Sequence, residues 1–163
     1  LGHGLPQGVG LALAARRRGI DSMTWVLTGD GELGEGIVWE AAMCAAKFRL
    51  ANLVAIVDNN RMQSGGMVEA VGGVTHLPAK WTAFGWKVVE IDGHDMAQVL
   101  SALDAATAMG RTSTEGIPTV IIAHTVKGKG VPYMEGDNSW HKRVPTDEEH
   151  RIAMALLGGL DLE

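Results

Sequence analysis

The sequence predicts an α/β protein in which a parallel sheet is covered by helices on both faces. The chain has 163 residues, of which 46% are hydrophobic, 22 are glycine and only 5% are aromatic, as expected where many tight turns join strands to helices. Short, continuous apolar runs alternate along it with helical segments. Such runs are typical of parallel strands that are buried on both faces. The length suits one domain with a single core, and we assign all of 1–163 to it.

The first part of the chain alternates between helix and strand. "GLPQGVGLALAARRRG" predicts a loop that feeds a helix, with Gly19 as the stop signal. The apolar run at 23–29 predicts a strand that ends in glycine, and "GEGIVWEAAMCAAKFRL" predicts an alanine-rich helix. A second apolar strand at 52–60 leads into a polar loop rich in glycine, and we expect its "SGGM" stretch to be a flexible active-site or interface loop.

The second part of the chain continues this alternation. A short helix at 79–84 precedes the strand "WKVVEID", and "DMAQVLSALDAATAMG" has apolar residues at helical spacing. "IPTVIIAHTV" predicts the fourth strand. In "TDEEHRIAMALLGGL", Thr146 is the expected N-cap, because acidic residues fill the turn after it. Spacing places most tryptophans in the core, whereas Trp140 lies in a loop; the core candidates are Trp25, Trp39, Trp81 and Trp86.

Composition excludes several classes of protein. No apolar stretch approaches the roughly 20 residues that span a bilayer, and "LGHGLPQG" lacks a signal-peptide pattern. We therefore expect a soluble chain with no membrane partner. The net charge of −5 argues against nucleic acid, and the basic run at 16–18 closes a helix, where cations favour the dipole. The single cysteine, Cys44, fits a reducing cytoplasm; its helical context favours a buried, inert thiol over a catalytic one.

Polar residues follow three of the predicted strands, in "TGDGE", "DNNRM" and "HTVKGKG". In parallel sheets, ligands bind outside the carboxyl ends of the strands. Gly29 and Gly31 flank Asp30 and allow backbone amides to approach a ligand closely. The helix that starts here adds free N–H groups and a positive dipole end, which together form a natural anion site.

Asp30 would repel a phosphate by itself. A divalent cation between them removes this repulsion, because magnesium joins carboxylates to diphosphate oxygens. Asn60 follows one strand–helix–strand unit later, so both side chains can reach the same crevice, and both offer hard oxygen ligands. Each motif alone has a simpler explanation: Asp30 and Glu32 can cap a helix, and "DNN" is a common turn sequence. "GDG" followed by "NN" at this spacing, with both at strand ends, is far more specific.

This pair of motifs resembles the diphosphate-binding signature of thiamine diphosphate enzymes, and its surroundings resemble transketolase. Five segments are similar, in order, to the first domain of that family, most of all in the short bacterial form that is split over two chains: "LGHGLPQGVGLALA", "GDGELGEGIVWEAAMCAA", "LVAIVDNNRMQSGG", "FGWKVVEIDGHD" and "PTVIIAHTVKGKGV". The resemblance implies the thiamine-diphosphate-binding fold and a transferase that moves a two-carbon ketol unit from a ketose to an aldose. It also implies one diphosphate-binding domain over 1–163 that lacks its N-terminal portion.

The resemblance implies thiamine diphosphate and Mg²⁺ as cofactors, with Ca²⁺ or Mn²⁺ as substitutes. Asp30 and Asn60 would ligate the metal together with the backbone carbonyl of Met62. The backbone amides of Gly31 and Glu32 would face the diphosphate.

Further site residues follow from the same resemblance. Gly29 belongs to the cofactor-binding motif, Leu1 and Gly2 match the loop that flanks the cofactor, and Lys127 is a phosphate contact. His141, in the loop "DNSWHK" late in the chain, is a candidate for a catalytic role.

Two other features bear on this late loop and on the interface. Asn138 stands where the family has the first of its two late histidines. Glu35 would act in catalysis at the subunit interface, pairing with the partner acid that activates the cofactor's aminopyrimidine. Among the other histidines, His3 and His124 are candidates for a direct role near the crevice.

The resemblance also implies a partner. The pyrimidine-binding domain is absent from this sequence, so we expect a C-terminal transketolase subunit that carries it, an α2β2 assembly or homodimer core, and no activity from the chain alone. The substrate would be a sugar phosphate of carbohydrate metabolism, as in the pentose phosphate pathway, in the cytoplasm. Two alternatives stay open: the α subunit of a 2-oxo-acid dehydrogenase, and a non-catalytic fragment that binds metal and diphosphate.

Overall fold

A computed structural model describes residues 1–112 and 116–158 of the chain. A four-stranded sheet lies at its centre, accompanied by helices and a small two-stranded hairpin. The elements are, in chain order, α1 Gly4–Arg17, β1 Thr24–Gly29, α2 Gly36–Lys47, β2 Leu53–Asn59, β3 Met62–Gln63, β4 Gly66–Met67, α3 Val68–Val71, α4 Leu77–Ala83, β5 Lys87–Asp92, α5 Met96–Thr112, β6 Thr119–His124 and α6 Asp147–Leu156, with 3-10 turns at Gly31–Gly34 and Asn138–His141.

All four strands of the central sheet are parallel, in the order β1-β2-β6-β5. Gly29 lies opposite Asp58, and Asn59 lies opposite His124. The carboxyl ends of neighbouring strands therefore align at one edge of the sheet. The predicted fold class is confirmed, and the three strand ends with polar motifs belong to the adjacent strands β1, β2 and β6.

Helices cover both faces of the sheet. Side chains alternate between the two faces along each strand, so each face has a core cluster of its own. On one face α1, α2 and α4 pack on a large core cluster that includes Val57 and Ile122. On the other face α5 packs through Ala102 and Ala106 on a cluster from β2, β5 and β6.

Strand β1 is only half covered. Its side chains on the α5 face, Trp25 and Leu27, are 37% and 73% exposed, because the cluster under α5 contains no residue of β1. The prediction that Trp25 is a core residue is therefore wrong. The other aromatic predictions are confirmed: Trp81 is fully buried and contacts the rings of Trp39 and Trp86, with centroids 5.1 and 4.9 Å away.

The beginnings of two helices differ from the predictions. Helix α1 begins at Gly4, so the "LPQ" segment expected in the loop is helical; Pro6 is tolerated because the amides of a first helical turn need no partner within the helix. Helix α4 begins at Leu77, with Pro78 in its first turn for the same reason. The stop signal at Gly19 is confirmed, since Gly19 follows the helix end with a φ of 65°.

The loop after β2 and the last helix were predicted in part. The glycine-rich loop forms a small β3–β4 hairpin, which was not predicted. Thr146 is the N-cap of α6 and forms a capping box with Glu149, as expected. Helix α6 ends at Leu156, and residues 159 and 160 of the predicted segment lie outside the described residues.

Cys44 is half-buried on α2 and packs against the core, so it is less enclosed than predicted. In the described part of the chain, no helix combines the length and apolarity needed to cross a bilayer.

Candidate functional site

The carboxylate of Asp30 lies where β1 and β2 end side by side. The backbone N–H of Asp30 donates to the carbonyl of Asp58 at 3.0 Å, which extends the strand pairing by one residue. The Asp30 side chain is buried, with the residue only 2% exposed. Its Oδ1 accepts from the amide of Gly31 at 2.8 Å, and its Oδ2 accepts from the amide of Arg61 at 2.5 Å. The carboxylate is therefore held by backbone groups from both strand ends.

The turn after β2 presents the second group of oxygen atoms. Asn60 Oδ1 accepts from the amide of Met62 at 2.9 Å, and Arg61 between them has a left-handed φ of 63°. This turn directs the Arg61 amide at Asp30. The structure thus brings Asp30 into contact with the segment that carries Asn60 and Met62, the other two predicted metal ligands.

The hydrogen bonds to the Asp30 carboxylate do not fully compensate for the burial of its charge. Burial raises the pKa of Asp30, and the nearby Asp58 raises it too, whereas the amides of Arg61 and Gly31 lower it without cancelling the rise. A buried anion of this kind is stabilised by a cation. Among the described residues, no group of three histidine, cysteine, aspartate or glutamate side chains could hold a metal. A carboxylate, an amide oxygen and a backbone carbonyl are nevertheless the hard donors that magnesium takes, so these residues fit it.

Gly31 permits a close approach between two segments. A Cβ at this position would lie 2.7 Å from Cβ of Gln63 in the β3–β4 hairpin. The hairpin can therefore pack against the 3-10 turn only if residue 31 has no side chain. The Gly31 amide donates to Asp30, so it would have to exchange this bond in order to face a diphosphate.

Glu32 ties the first residues of the chain to the end of β1. Its Oε1 accepts from the amide of Gly2 at 2.7 Å, and its Oε2 accepts from the hydroxyl of Thr28 at 2.7 Å and, more weakly, from the Gly29 amide at 3.4 Å. Burial by itself raises the pKa of Glu32, but these hydrogen bonds outweigh it and lower the pKa below its usual value. The sequence predicted only a backbone role for Glu32; the missed signal was an acid four residues after a strand-end threonine.

The loop at Leu1 and Gly2 lies against the start of α2. Gly2 has a φ of 77°, and a Cβ there would lie 2.8 Å from Cβ of Glu35 and 2.9 Å from Cγ2 of Ile37. Glu35 is the N-cap residue of α2, is exposed, and makes no side-chain capping bond. Leu1 is 85% exposed, and His3 Nδ1 contacts the Leu1 carbonyl at 2.8 Å. The carboxylate of Glu35 is therefore accessible beside this loop.

Lys127 and His141 lie on loops that follow β6. Lys127 is half-buried, and its carbonyl accepts from the Gly136 amide at 2.9 Å, while its ammonium has no hydrogen bond or ion pair within the described residues. The 3-10 turn Asn138–His141 packs beside strand β3, so exposed His141 lies near the turn that follows Asn60.

A small aromatic cluster holds the segment of His141. Trp140 donates from Nε1 to the carbonyl of Tyr133 at 2.9 Å, and the two rings lie 5.3 Å apart. The guanidinium of Arg143 lies 4.1 Å from the Trp140 ring centroid. The Tyr133 hydroxyl donates to the Glu149 carbonyl, which joins this cluster to α6.

His124 belongs to a polar chain across the ends of three strands, which the sequence only partly anticipated. Its Nε2 lies 2.9 Å from Oε2 of Glu90, and its Nδ1 lies 3.0 Å from Nδ2 of Asn59. His124 and Asp30 both line a cavity of ≈ 240 Å³ at the carboxyl edge, together with Arg61. Asn59 and Glu90 could not be selected from the sequence, because their partnership depends on the strand order.

Known proteins resemble this chain in sequence and in fold. The family model described as transketolase, thiamine diphosphate binding domain, matches residues 1–159. The chain is 46% identical over 154 residues to an apulose-4-phosphate transketolase subunit of Phocaeicola vulgatus, with 94% of this chain and 53% of that protein covered. It is 38% identical over 157 residues to the 6-deoxy-6-sulfo-D-fructose transketolase subunit SqwG of Clostridium sp., with 96% and 55% covered.

Solved structures resemble the chain in the same way. The transketolase from Campylobacter jejuni superposes with a TM-score of 0.88 at 31% sequence identity, over 98% of this chain and 25% of that one. The chain spans about half the length of the two curated relatives named above. These matches favour transketolase over the α subunit of a 2-oxo-acid dehydrogenase, the enzyme alternative that the sequence left open.

Proposed function

The chain belongs to the transketolase family, by its thiamine diphosphate-binding domain, and on this premise we propose that it is the N-terminal subunit of a split transketolase. In this role it transfers a two-carbon ketol unit from a ketose to an aldose together with a second chain. The observation that carries the proposal is the buried Asp30 carboxylate, held by the amides of Gly31 and Arg61 beside Asn60.

The proposed metal site uses only groups at the ends of β1 and β2. Asp30, the side-chain oxygen of Asn60 and the carbonyl of Met62 would hold Mg²⁺, or Ca²⁺ or Mn²⁺ as substitutes. With a divalent cation held there, the buried Asp30 carboxylate would be neutralised and a diphosphate could lie beside it. The amides of Gly31 and Glu32, at the start of a helical turn, would complete the anion site beside Gly29.

Other residues would contact the cofactor and the substrate. The chemistry that bound thiamine diphosphate supplies is a nucleophilic carbon and an electron sink for breaking the bond beside a ketose carbonyl. Leu1 and Gly2 would flank the cofactor, and Lys127 would contact its phosphate. His141, on the turn beside β3, would face the substrate and hold or move a proton.

Glu35 connects this half of the site to the other. It is exposed at the start of α2, where it would pair with the acid of a pyrimidine-binding domain and so hold a proton on the cofactor's aminopyrimidine. That domain would belong to a C-terminal subunit, in an α2β2 assembly or around a homodimer core. The chain alone would then be inactive. The substrates would be sugar phosphates of the pentose phosphate type, and the location the cytoplasm.

The decisive experiment measures thiamine diphosphate binding, with and without Mg²⁺, in the complex reconstituted from this chain and its partner. Asp30→Ala should abolish the magnesium-dependent part of the binding. Asp104→Ala is the matched control, because Asp104 is an exposed acid on α5 without a hydrogen bond or ion pair among the described residues. Unchanged cofactor affinity in Asp30→Ala would reject the proposal.

A further inference from the structure

A second polar cavity opens at the amino edge of the sheet, opposite the edge that carries Asp30. Its volume is ≈ 360 Å³. It lies between the end of α1, the segment that precedes β1 and the segment that precedes β2, and Gly116 completes its wall. Polar side chains line it from all three, namely those of Arg16, Asp21, Ser22, Arg49 and Asn52. This cavity has no part in the proposed transketolase site.

Arg16 is fixed in place on one wall. Its Nη1 donates to the carbonyl of Phe48 and, at 2.9 Å, to the carbonyl of Arg49. The first bond satisfies a carbonyl that α2 leaves without a partner at its end, whereas the Arg49 carbonyl also accepts from the Ala51 amide at 3.1 Å. Nε and Nη2 of Arg16 make no hydrogen bond with the described residues, so a pre-oriented guanidinium retains free donors.

Arg49 has an unfavourable backbone conformation and an unused charge. Its φ is 55°, in the left-handed region where helix ends usually place glycine. Its guanidinium has no hydrogen bond or ion pair within residues 1–112 and 116–158. Backbone strain retained at an arginine with an unpaired charge suggests that the side chain is needed there.

Asn52 joins two of the segments that form the wall of the cavity. Its Nδ2 donates to the carbonyl of Ala12 at 3.0 Å and, more weakly, to that of Ser22 at 3.5 Å, which fixes the orientation of the amide. Its Oδ1 is buried and accepts no hydrogen bond in the described part of the chain. That oxygen is closed to solvent, so a ligand in the cavity does not reach it, and Asn52 shapes the wall through its hydrogen bonds to the backbone.

We propose that this cavity binds a phosphate ester, with the phosphate between Arg16 and Arg49. Guanidinium groups suit phosphate oxygens, because their planar N–H donors match them in pairs. Asp21 also lines the cavity, but it lies at the rim, 81% exposed, and its carboxylate is 3.7 Å from Nε of Arg111. Its repulsion of a phosphate is therefore weak.

The test is calorimetric titration of the complete protein with glycerol phosphate and with inorganic phosphate. Arg49→Gly should weaken glycerol phosphate binding by about ten-fold or more, since it removes a charged hydrogen-bond partner. The same change should leave the free energy of unfolding unchanged or higher, because glycine accepts a positive φ without strain. Arg17→Gln is the matched control: it removes the same charge from the same region, outside the cavity lining.

Three results would overturn the proposal. Equal binding of glycerol phosphate to the wild type and to Arg49→Gly would show that Arg49 does not contact the ligand. Equal losses of affinity in Arg17→Gln and Arg49→Gly would show that basic residues attract the phosphate generally, without a specific site. Loss of binding in Asp30→Ala would place the ligand at the opposite edge of the sheet. Binding of both glycerol phosphate and inorganic phosphate to the wild type, weakened in Arg49→Gly but not in Arg17→Gln, would support the proposed phosphate contact.

Discussion

The amide of Arg61 donates a hydrogen bond of 2.5 Å to Oδ2 of Asp30, and this bond joins the turn after β2 to the end of β1. The donor is available because Arg61 adopts a left-handed φ of 63°, which turns its N–H toward β1. The same turn places Asn60 Oδ1 on the Met62 amide. The position of the turn and the charge of Asp30 are thus coupled, so a change at Asp30 should alter both the fold and metal binding.

The first prediction concerns the charge of Asp30. Because burial raises its pKa in the folded chain above the usual 3.8, the folded state holds this proton more tightly than the unfolded state. The stability that Asp30 contributes should therefore fall as pH rises from 3.8 through the raised pKa. Mg²⁺ should restore the lost stability at neutral pH, since it binds the folded form in which Asp30 is ionised.

Denaturant unfolding of the wild type and Asp30→Asn, across pH and with or without Mg²⁺, measures this effect. The difference in unfolding free energy between the two proteins isolates Asp30 from other acids. Asp30→Asn should show no gain from Mg²⁺. A stabilisation by Mg²⁺ that is equal in both proteins would contradict the prediction and place the ion elsewhere.

The second prediction concerns Glu32, whose hydrogen bonds to the Thr28 hydroxyl and the Gly2 amide lower its pKa in the folded chain below 4.5. The sign is opposite to that of Asp30. The stabilisation from Glu32 should be complete above pH 4.5 and should be lost as pH falls through the lowered pKa.

Glu32→Gln should remove this dependence, because the amide does not titrate in this range. The measurement is the urea midpoint of both proteins from about pH 6 to pH 3, with Asp104→Asn as the control at an exposed acid of α5 that makes no hydrogen bond or ion pair among the described residues. Parallel pH profiles for wild type and Glu32→Gln would refute the assignment.

The third prediction concerns the backbone at Gly2. Gly2→Ala should destabilise the chain by about 1–2 kcal/mol, because an alanine at positive φ is strained and its Cβ would meet Glu35 and Ile37 within 3 Å. Gly10→Ala is the matched control in α1, where a Cβ meets nothing within 4 Å. It should stabilise the chain by about 0.5–1 kcal/mol, the difference in helix propensity. Thermal unfolding measures both, and similar effects for the two variants would contradict the close packing at Gly2.

The fourth prediction concerns the segment that carries His141. Trp140→Ala removes the contacts with Tyr133 and Arg143, a loss of about 1–2 kcal/mol. Amide hydrogen exchange should therefore accelerate within Asn138–His141, while exchange in the central sheet stays unchanged. Tyr133→Phe is the control, because it keeps the ring contact and removes only the hydroxyl bond to Glu149. Unaltered exchange in Trp140→Ala would show that the turn is held by other contacts.

Much of the carboxyl-edge site could be predicted because its signals are local. Continuous apolar runs identify parallel strands whatever their partners are, and Asp30 and Asn60 each follow such a run directly. Since all carboxyl ends of a parallel sheet meet at one edge, the two side chains had to lie on the same side of the molecule. These motifs and the segments around them resemble transketolase, and the family model that matches residues 1–159 confirms that resemblance.

The tertiary structure decided which residues meet across that edge and at the opposite one. The order β1-β2-β6-β5 places His124 between Asn59 and Glu90 and leaves Trp25 uncovered, and neither follows from the order along the chain. Glu32 reaches Gly2, and Arg16 reaches the end of α2, only after α1 and α2 have packed on one face. Hydrophobic periodicity specifies which face of an element is buried, but not which other element covers it; that choice depends on the packing of the whole chain.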